Sequence, residues 1–239
     1  MRLPFLALAS FIPSSVVPRA TYNGGVDCAL NLLLYPSDLA SPGRLVKIAR
    51  SLSPLFERTH IVGIDQGALP TDEAVAPTVH LTRIRGASLG APLGGVRVVG
   101  AWGTRVYRRF ARQRVAAVSA QNLFLLPLAH ALARRTGAVF AYNAHELETE
   151  TVGSAGLRQR LQRVIERRYI HRADVVSVVN ESIAQWYREA YPGVDPVVVT
   201  NAPTGAEGVI DLRARLGIPE EALLYLHSGY LAPGRNIPL

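Results

Sequence analysis

One histidine and three glutamates follow an apolar stretch in the middle of the chain, where "FAYNA" continues into His145, Glu146, Glu148 and Glu150. An imidazole at such a position can act as a base, donate a hydrogen bond to a hydroxyl group or cap a helix. The three carboxylates predict a raised pKa for His145. The pattern "HELE" lacks the second histidine of an H-E-x-x-H zinc site, so we predict no metal.

Other polar residues also follow predicted strands. Ligands of open parallel sheets bind at the carboxyl ends of the strands, which here are segments 36–44, 121–122, 143–150 and 201–204. The first segment contains "SPGR", where free backbone N–H groups at a helix start suit an anion or a hydroxyl. These segments supply the candidate substrate-binding residues Ser41, Gly43, Arg44, Asn122, Glu146 and Asn201.

Apolar runs alternate with helical periodicity along most of the chain. The predicted strands cover 28–35, 59–64, 78–84, 115–120, 138–143, 174–180 and 196–201. Helices are predicted over 44–56, 100–114, 122–137, 157–171 and 181–191. In the helix over 157–171 the apolar side chains expected to face inward are Leu157, Leu161, Val164, Ile165 and Tyr169.

The strands are continuous apolar runs, which predicts a parallel sheet covered on both faces. The fold class is therefore α/β, with a doubly wound, Rossmann-like domain over 28–205. Residues 1–27 are expected to be a poorly ordered leader. Residues 206–239 are expected to form a linker and the start of an incomplete second α/β unit, with a strand over 222–231.

The chain is strongly basic, and its charge is unevenly distributed. The net charge is +8, and Lys47 is the single lysine among 26 basic residues. Ten arginines and no acidic residue lie between Ala74 and His145, which predicts a positive field that attracts phosphates or anionic membrane. A basic amphipathic helix within this segment carries Arg105, Arg108, Arg109 and Arg112. Either its apolar stripe packs on the sheet, or the helix lies on a membrane surface.

Several function classes lack their sequence signatures. The absence of G-x-G-x-x-G argues against a dinucleotide cofactor, and a P-loop motif is also absent. The arginines are scattered without a nucleic-acid-binding motif, so we predict no nucleic acid partner. The single cysteine, Cys28, excludes an internal disulfide.

Four segments occur in an order that resembles the retaining GT-B glycosyltransferases of family 4. They are "YNAHELETE", "IERRYIHRADVVSVVNESIAQWYREAY", "PVVVTNAPTG" and "LLYLHSGYLAPGRNI". The matching positions are His145–Glu146, Glu166–Arg167, Ala173–Asp174 and Asn201. The resemblance covers roughly residues 28 to 239, with an N-terminal acceptor domain and the start of a donor domain.

This resemblance implies transfer of a sugar, with retention, from a nucleotide-sugar donor to a glycan or polyprenyl-linked acceptor. The nucleotide sugar is a co-substrate, and no other cofactor is implied. His145 would contact the reacting sugar, and segment 41–44 would contact acceptor and donor phosphate. Arg235 falls near the basic residue that clamps the diphosphate, but Tyr230 replaces the arginine usual just before it. The implied setting is polysaccharide or glycolipid synthesis in the cytoplasm, with peripheral contact to the anionic inner face of the membrane.

The acidic E-x7-E motif of that family would lie beyond Leu239, so we expect this chain alone to have little or no activity. One alternative is a non-catalytic binding module that docks to a separate donor-domain chain. A lesser alternative is a GT-B sugar-nucleotide epimerase.

Overall fold

A computed structural model describes residues 29–86, 98–150, 156–202 and 210–226. Its strands form one eight-stranded sheet in the order β3-β4-β2-β1-β5-β6-β7-β8. The strands are β1 (Leu30–Leu34), β2 (Arg58–Asp65), β3 (Asp72–Ala76), β4 (Val79–Arg85), β5 (Val115–Ala120), β6 (Val139–Ala144), β7 (Val175–Val178) and β8 (Val197–Val198). All neighbouring pairs are parallel except β3 with β4. The predicted parallel α/β fold is therefore confirmed.

Helices connect most of these strands. They are α1 (Gly43–Leu52), α2 (Gly103–Phe110), α3 (Leu126–Thr136), α4 (Gly156–Tyr169), α5 (Glu181–Ala190) and α6 (Leu212–Leu216). Short 3-10 helices cover Ser53–Leu55, Leu123–Leu125 and Ile170–Arg172, and a π-helical turn at Val98–Trp102 precedes α2. The chain divides into two compact units, Met1–Asn201 and Ala202–Leu239.

The antiparallel edge strand β3 was not predicted. Its sequence, "DEAVA", is acidic and short, and it is half-exposed to fully exposed along its length. Aspartate and glutamate are depleted in strands, so the composition gives no strand signal. Tertiary hydrogen bonds create the strand instead: Asp72 accepts from the Thr82 hydroxyl at 2.9 Å, and the backbone pairs with β4.

The two faces of the sheet carry separate cores. Helix α1 packs Leu45 and Ala49 on one face, together with Leu33 of β1 and Ile61 of β2. On the other face α2, α3 and α5 contribute to a larger core around Val118. The expectation that both faces are fully covered is wrong for β6, whose alternate residues from Val139 onward are only half-buried. The small side chains there suit a partly solvated face.

Helix α4 also differs from the prediction. Leu157, Leu161 and Val164 were expected to face inward, but their exposed fractions are 82%, 42% and 64%. The buried residues of this helix are Gln162 and Glu166. The inward prediction is correct only for Ile165 and Tyr169, which pack partly against the core. The apolar spacing was misleading because tyrosine hydroxyls inside the domain bind the buried Glu166.

The basic amphipathic helix packs as one of its two interpretations predicts. Trp102, Val106 and Phe110 are buried in the core, and the Trp102 indole N–H donates to the Gly63 carbonyl at 3.0 Å. The helix ends at Phe110 rather than Arg114. Helix α3 ends as predicted at Gly137, whose φ of 73° lies in the left-handed region where glycine is favoured.

The second unit contains helix α6 in its described part. Asp211 caps this helix by accepting from the backbone N–H groups of Arg213 and Ala214, and Gly217 ends it. The strand predicted over 222–231 is wrong for residues 222–226, which are not in a strand. Its remainder lies outside the described residues, as do the predicted leader, Cys28 and the segment 203–209.

Glu166 is fully buried among three tyrosine hydroxyls. Tyr187 donates to Oε1 at 2.7 Å, Tyr191 donates to Oε2 at 2.7 Å, and the hydroxyl of Tyr142 lies 3.5 Å from Oε1. Burial raises the pKa of Glu166, while the tyrosine hydrogen bonds oppose that rise. Because Tyr142 belongs to β6, this cluster connects α4 and α5 to the strand that ends just before His145.

We predict that Tyr191→Phe lowers the free energy of unfolding by about 1–3 kcal/mol, because a buried carboxylate oxygen loses its short hydrogen bond. Chemical denaturation followed by circular dichroism measures the effect. Tyr169→Phe is the matched control, since Tyr169 is a partly buried tyrosine at the end of α4 with ring contacts only. Equal stability of the two variants would contradict the assigned role of the cluster.

Candidate functional site

The carboxyl ends of β1, β5 and β6 lie side by side at one edge of the sheet. Strand β1 pairs with β2 on one side and with β5 on the other, and β5 pairs with β6. After β1 the chain enters α1 on one face, whereas after β5 it enters α3 on the opposite face. Connections that diverge in this way leave a crevice at the switch in strand order, where open α/β sheets bind ligands.

His145 lies at this edge and contacts the end of β5. Its Nε2–H donates to Gln121 Oε1 at 3.1 Å, and the Gln121 amide N–H donates to the Ser119 hydroxyl at 2.6 Å. The amide oxygen of Gln121 can only accept, which assigns the proton of the neutral imidazole to Nε2. Nδ1 is then an acceptor, and it is buried without a hydrogen-bond partner in the described part of the chain.

The expected rise in the pKa of His145 is wrong. Burial lowers its pKa to about 4, and the positive charge of Arg44 contributes further. The glutamates do not offset this effect because they point elsewhere. Glu146 is exposed, Glu148 binds the end of β5, and Glu150 forms an ion pair with Arg163 at 3.1 Å. His145 is therefore a neutral group at pH 7.

Asn122 and Glu148 hold the turn after β5. Glu148 accepts from the Asn122 amide at 2.6 Å and from the Leu123 backbone N–H at 2.8 Å. The Asn122 side-chain oxygen accepts from the Phe124 N–H and caps the 3-10 helix at 123–125. Burial raises the pKa of Glu148 to about 7, although the Leu123 N–H opposes the rise. Both ends of the Asn122 amide thus have protein partners, and its contact with substrate stays a prediction.

The loop after β1 depends on a buried arginine that the sequence analysis missed. Arg83, on β4, donates to the backbone carbonyls of Asp38 and Leu39 at 2.6 and 3.0 Å and to Pro70 at 2.6 Å. Glu73 forms an ion pair with Arg83, with an N···O distance of 3.2 Å. The sequence signal for this role was an arginine within an otherwise buried strand. A buried charge at such a position requires several hydrogen-bond partners.

Gly63 makes room for the same loop. An added Cβ at Gly63 would overlap the Leu39 side chain and lie 2.6 Å from the Ser37 carbonyl. That carbonyl accepts from the Ile64 N–H at 2.7 Å, so the loop lies directly on β2. Leu39 has a φ of 58°, a left-handed conformation that is uncommon for leucine and that these contacts maintain.

The predicted anion-binding segment is exposed at the start of α1. Ser41, Gly43 and Arg44 are exposed, and the helix begins at Gly43 without a side-chain cap. The first backbone N–H groups of α1 therefore have no capping side chain. The Lys47 ammonium donates to the Asn201 amide oxygen at 3.1 Å, which brings Asn201 to this helix.

The remaining predicted residues lie elsewhere. Arg105 and Arg109 are exposed on α2, where they contact the Arg85 carbonyl at 3.1 Å and Asp72 at 3.5 Å. Arg108 and Arg112 are also exposed. Arg235 lies outside the described residues. Within the described residues, no group of three or more metal-binding side chains is found, and no helix is long and apolar enough to cross a membrane.

This architecture is a Rossmann-like α/β domain with a polar crevice at the switch in strand order. The chain belongs to the family of glycosyl transferase 4-like domains, whose sequence profile matches residues 44–205. No curated protein matches the chain significantly.

Two solved structures of one synthase share the fold at low sequence identity, and a plant protein gives a weaker match. A sucrose-phosphate synthase from Thermosynechococcus elongatus is similar with a TM-score of 0.60 and 13% identity, over 80% of this chain and 53% of that one. A second structure of that synthase has a TM-score of 0.52 and 10% identity, over 72% of this chain and 89% of that one. Apo UGT2 of Phytolacca americana has a TM-score of 0.49 and 12% identity, over 74% of this chain and 52% of that one. The chain thus spans about half of the first synthase structure.

We predict that His145 stays neutral, with its proton on Nε2, between pH 5 and 8. Its folded pKa of about 4 lies below the ordinary 6.5, so the stability that it contributes above pH 6.5 is lost as the pH falls toward 4. Nitrogen-15 NMR of the imidazoles, assigned with His145→Asn, measures both the tautomer and the titration. Gln121→Leu should mix the tautomers. Titration near pH 6.5, or a proton on Nδ1, would contradict the proposed arrangement.

We also predict that Gly63→Ala lowers the free energy of unfolding by about 1–3 kcal/mol, because the new methyl group displaces the loop after β1. Thermal and urea denaturation measure the change. Gly43→Ala is the control, since a Cβ at Gly43 meets nothing within 4 Å. Should Gly63→Ala match this control, the close packing of the loop on β2 would be refuted.

Proposed function

We propose that the chain is the acceptor-binding part of a retaining GT-B glycosyltransferase of family 4. It would transfer a sugar from a nucleotide-sugar donor to a glycan or polyprenyl-linked acceptor. The observation that carries this proposal is the meeting of three polar strand ends, after β1, β5 and β6, at the switch in strand order. Membership in the glycosyl transferase 4-like family supports the reaction class.

His145 would serve this reaction as a neutral polar group. Its lowered pKa leaves no charge at pH 7, so it would bind a sugar hydroxyl through a hydrogen bond. Gln121 fixes the orientation of the ring, and a fixed ring holds the reacting sugar without a cost of reorganisation. Glu146, exposed beside it, is available to accept from a second hydroxyl.

The start of α1 would receive the phosphate groups. Gly43 begins the helix, and the partial positive charge of a helix N-terminus attracts an anion. The exposed Arg44 adds a full charge next to it. These groups would stabilise the charge that develops on a departing diphosphate. The role of Arg235 in binding the donor phosphate stays a prediction. Ser41, Asn122 and Asn201 complete the proposed set of substrate contacts.

The proposal includes the surroundings of the reaction. The enzyme would act in the cytoplasm, in polysaccharide or glycolipid synthesis, with Arg105, Arg108, Arg109 and Arg112 near the anionic inner face of the membrane. The alternative arrangement has a separate donor-domain chain that supplies the nucleotide-sugar site. If such a partner performs the chemistry alone, the present chain is a binding module.

We predict that His145→Ala lowers sugar transfer at least about a hundredfold, because a contact with the reacting sugar is lost. The assay follows radiolabel from a panel of nucleotide sugars into lipid-linked and polymeric acceptors, with and without a donor-domain chain encoded nearby. Glu150→Gln is the control, since this exposed carboxylate pairs with Arg163 and belongs to no proposed substrate contact. Full transfer by His145→Ala would contradict the proposed site, and transfer that never requires this chain would favour the binding module.

A further inference from the structure

Helix α4 turns three of its apolar side chains away from the domain. Gln162 and Glu166 point into the core with exposed fractions of 2% and 0%. Leu157, Leu161 and Val164 follow the spacing i, i+4, i+7 and form one exposed stripe on the opposite side of the helix. None of these three side chains belongs to the core, so an apolar stripe at this position indicates a contact outside the domain.

The stripe lies among positive charges. Helix α4 carries Arg158, Arg160, Arg163, Arg167 and Arg168, and its one acidic residue is the buried Glu166. Arg163 has a carboxylate partner in Glu150. Arg160, Arg167 and Arg168 are exposed and fall on the same outward half of the helix as the stripe. A helix with an exposed apolar stripe and flanking arginines has the composition of helices that lie in a membrane interface.

Neighbouring helices extend this basic surface. Helices α2, α3 and α4 are packed in that order, α2 against α3 and α3 against α4. The three helices contain ten arginines and, apart from the buried Glu166, no acidic residue. Arg108 on α2 and Arg134 on α3 are exposed on the sides of their helices opposite the buried residues. The helices together present a positive layer in which α4 supplies the apolar part.

We propose that this layer, α2–α3–α4, binds the surface of an anionic lipid bilayer, with the stripe of α4 inserted at the headgroup boundary. An anionic bilayer satisfies both features, because lipid phosphates pair with the arginines and the acyl boundary accepts leucine and valine. A second copy of the chain fits less well, since pairing of two α4 helices brings arginines together. The inference rests on the proposed membrane contact. It assigns the apolar insertion to α4 instead of α2, because the apolar stripe of α2 is buried in the core.

The test measures binding of the full chain to vesicles of phosphatidylcholine with and without phosphatidylglycerol. The variant Leu157→Ser/Leu161→Ser/Val164→Ser should lower the partition coefficient on anionic vesicles roughly tenfold or more, from the lost apolar insertion. Leu55→Ser is the matched control, because Leu55 is 51% exposed and follows α1, which packs on the other face of the sheet. Leu161→Trp should show a blue-shifted emission when anionic vesicles are added.

Binding of the triple variant at the wild-type level would overturn the inference, as would an unshifted Leu161→Trp that still binds. The inference would also fall if the wild-type chain formed a dimer that the triple variant disrupts while neither binds vesicles. A second variant, Arg105→Ser/Arg108→Ser/Arg109→Ser/Arg112→Ser, separates the two helices. If it loses vesicle binding while the triple variant binds fully, α2 contacts the bilayer and α4 does not, which would refute the inference. No sugar transfer enters these measurements, so their failure is distinguishable from failure of the proposed reaction.

Discussion

The position of β1 between β2 and β5 is the constraint on which the candidate site depends. Parallel pairing places the carboxyl ends of all three strands at one edge, and the connections after β1 and β5 leave that edge on opposite faces. Among the described residues, no single loop then closes the crevice. The side chains that enter it come from separate parts of the sequence, with Arg44 after β1, Gln121 after β5 and His145 after β6. A ligand at this edge would contact all three connections at once, which is why small changes in any one loop should affect the whole site.

Buried polar groups hold each connection in place. Arg83 satisfies the carbonyls of the loop after β1, Glu148 caps the turn after β5, and Glu166 binds the tyrosines around β6. Burial of each of these ionisable groups carries a desolvation cost that several hydrogen bonds offset, and removal of one partner leaves the other unsatisfied. Such contacts specify geometry more than they add stability. The site therefore has little freedom to rearrange, and Gln121 extends the same order to the imidazole of His145.

The sequence was sufficient for the parts of the fold that depend on local patterns. Apolar runs located seven of the eight strands, and Gly137 marked the end of α3. Other features depend on long-range partners and leave no local signal. The acidic strand β3 forms only because β4 lies beside it, and α4 buries Glu166 because tyrosines from β6 and α5 meet it. The position of His145 was predictable from its place after a strand, but its lowered pKa was not, since that depends on burial and on where the neighbouring glutamates point.

The account requires a ligand to bind at the edge formed by β1, β5 and β6. A titration of the nitrogen-15-labelled chain with a soluble short-chain polyprenyl phosphate, followed by backbone amide shifts, measures this most directly. We expect the largest shifts at Gly43, Arg44, Gln121 and His145, which come from three separate connections. Shifts confined to the opposite edge of the sheet, with these four amides unchanged at saturation, would contradict the account.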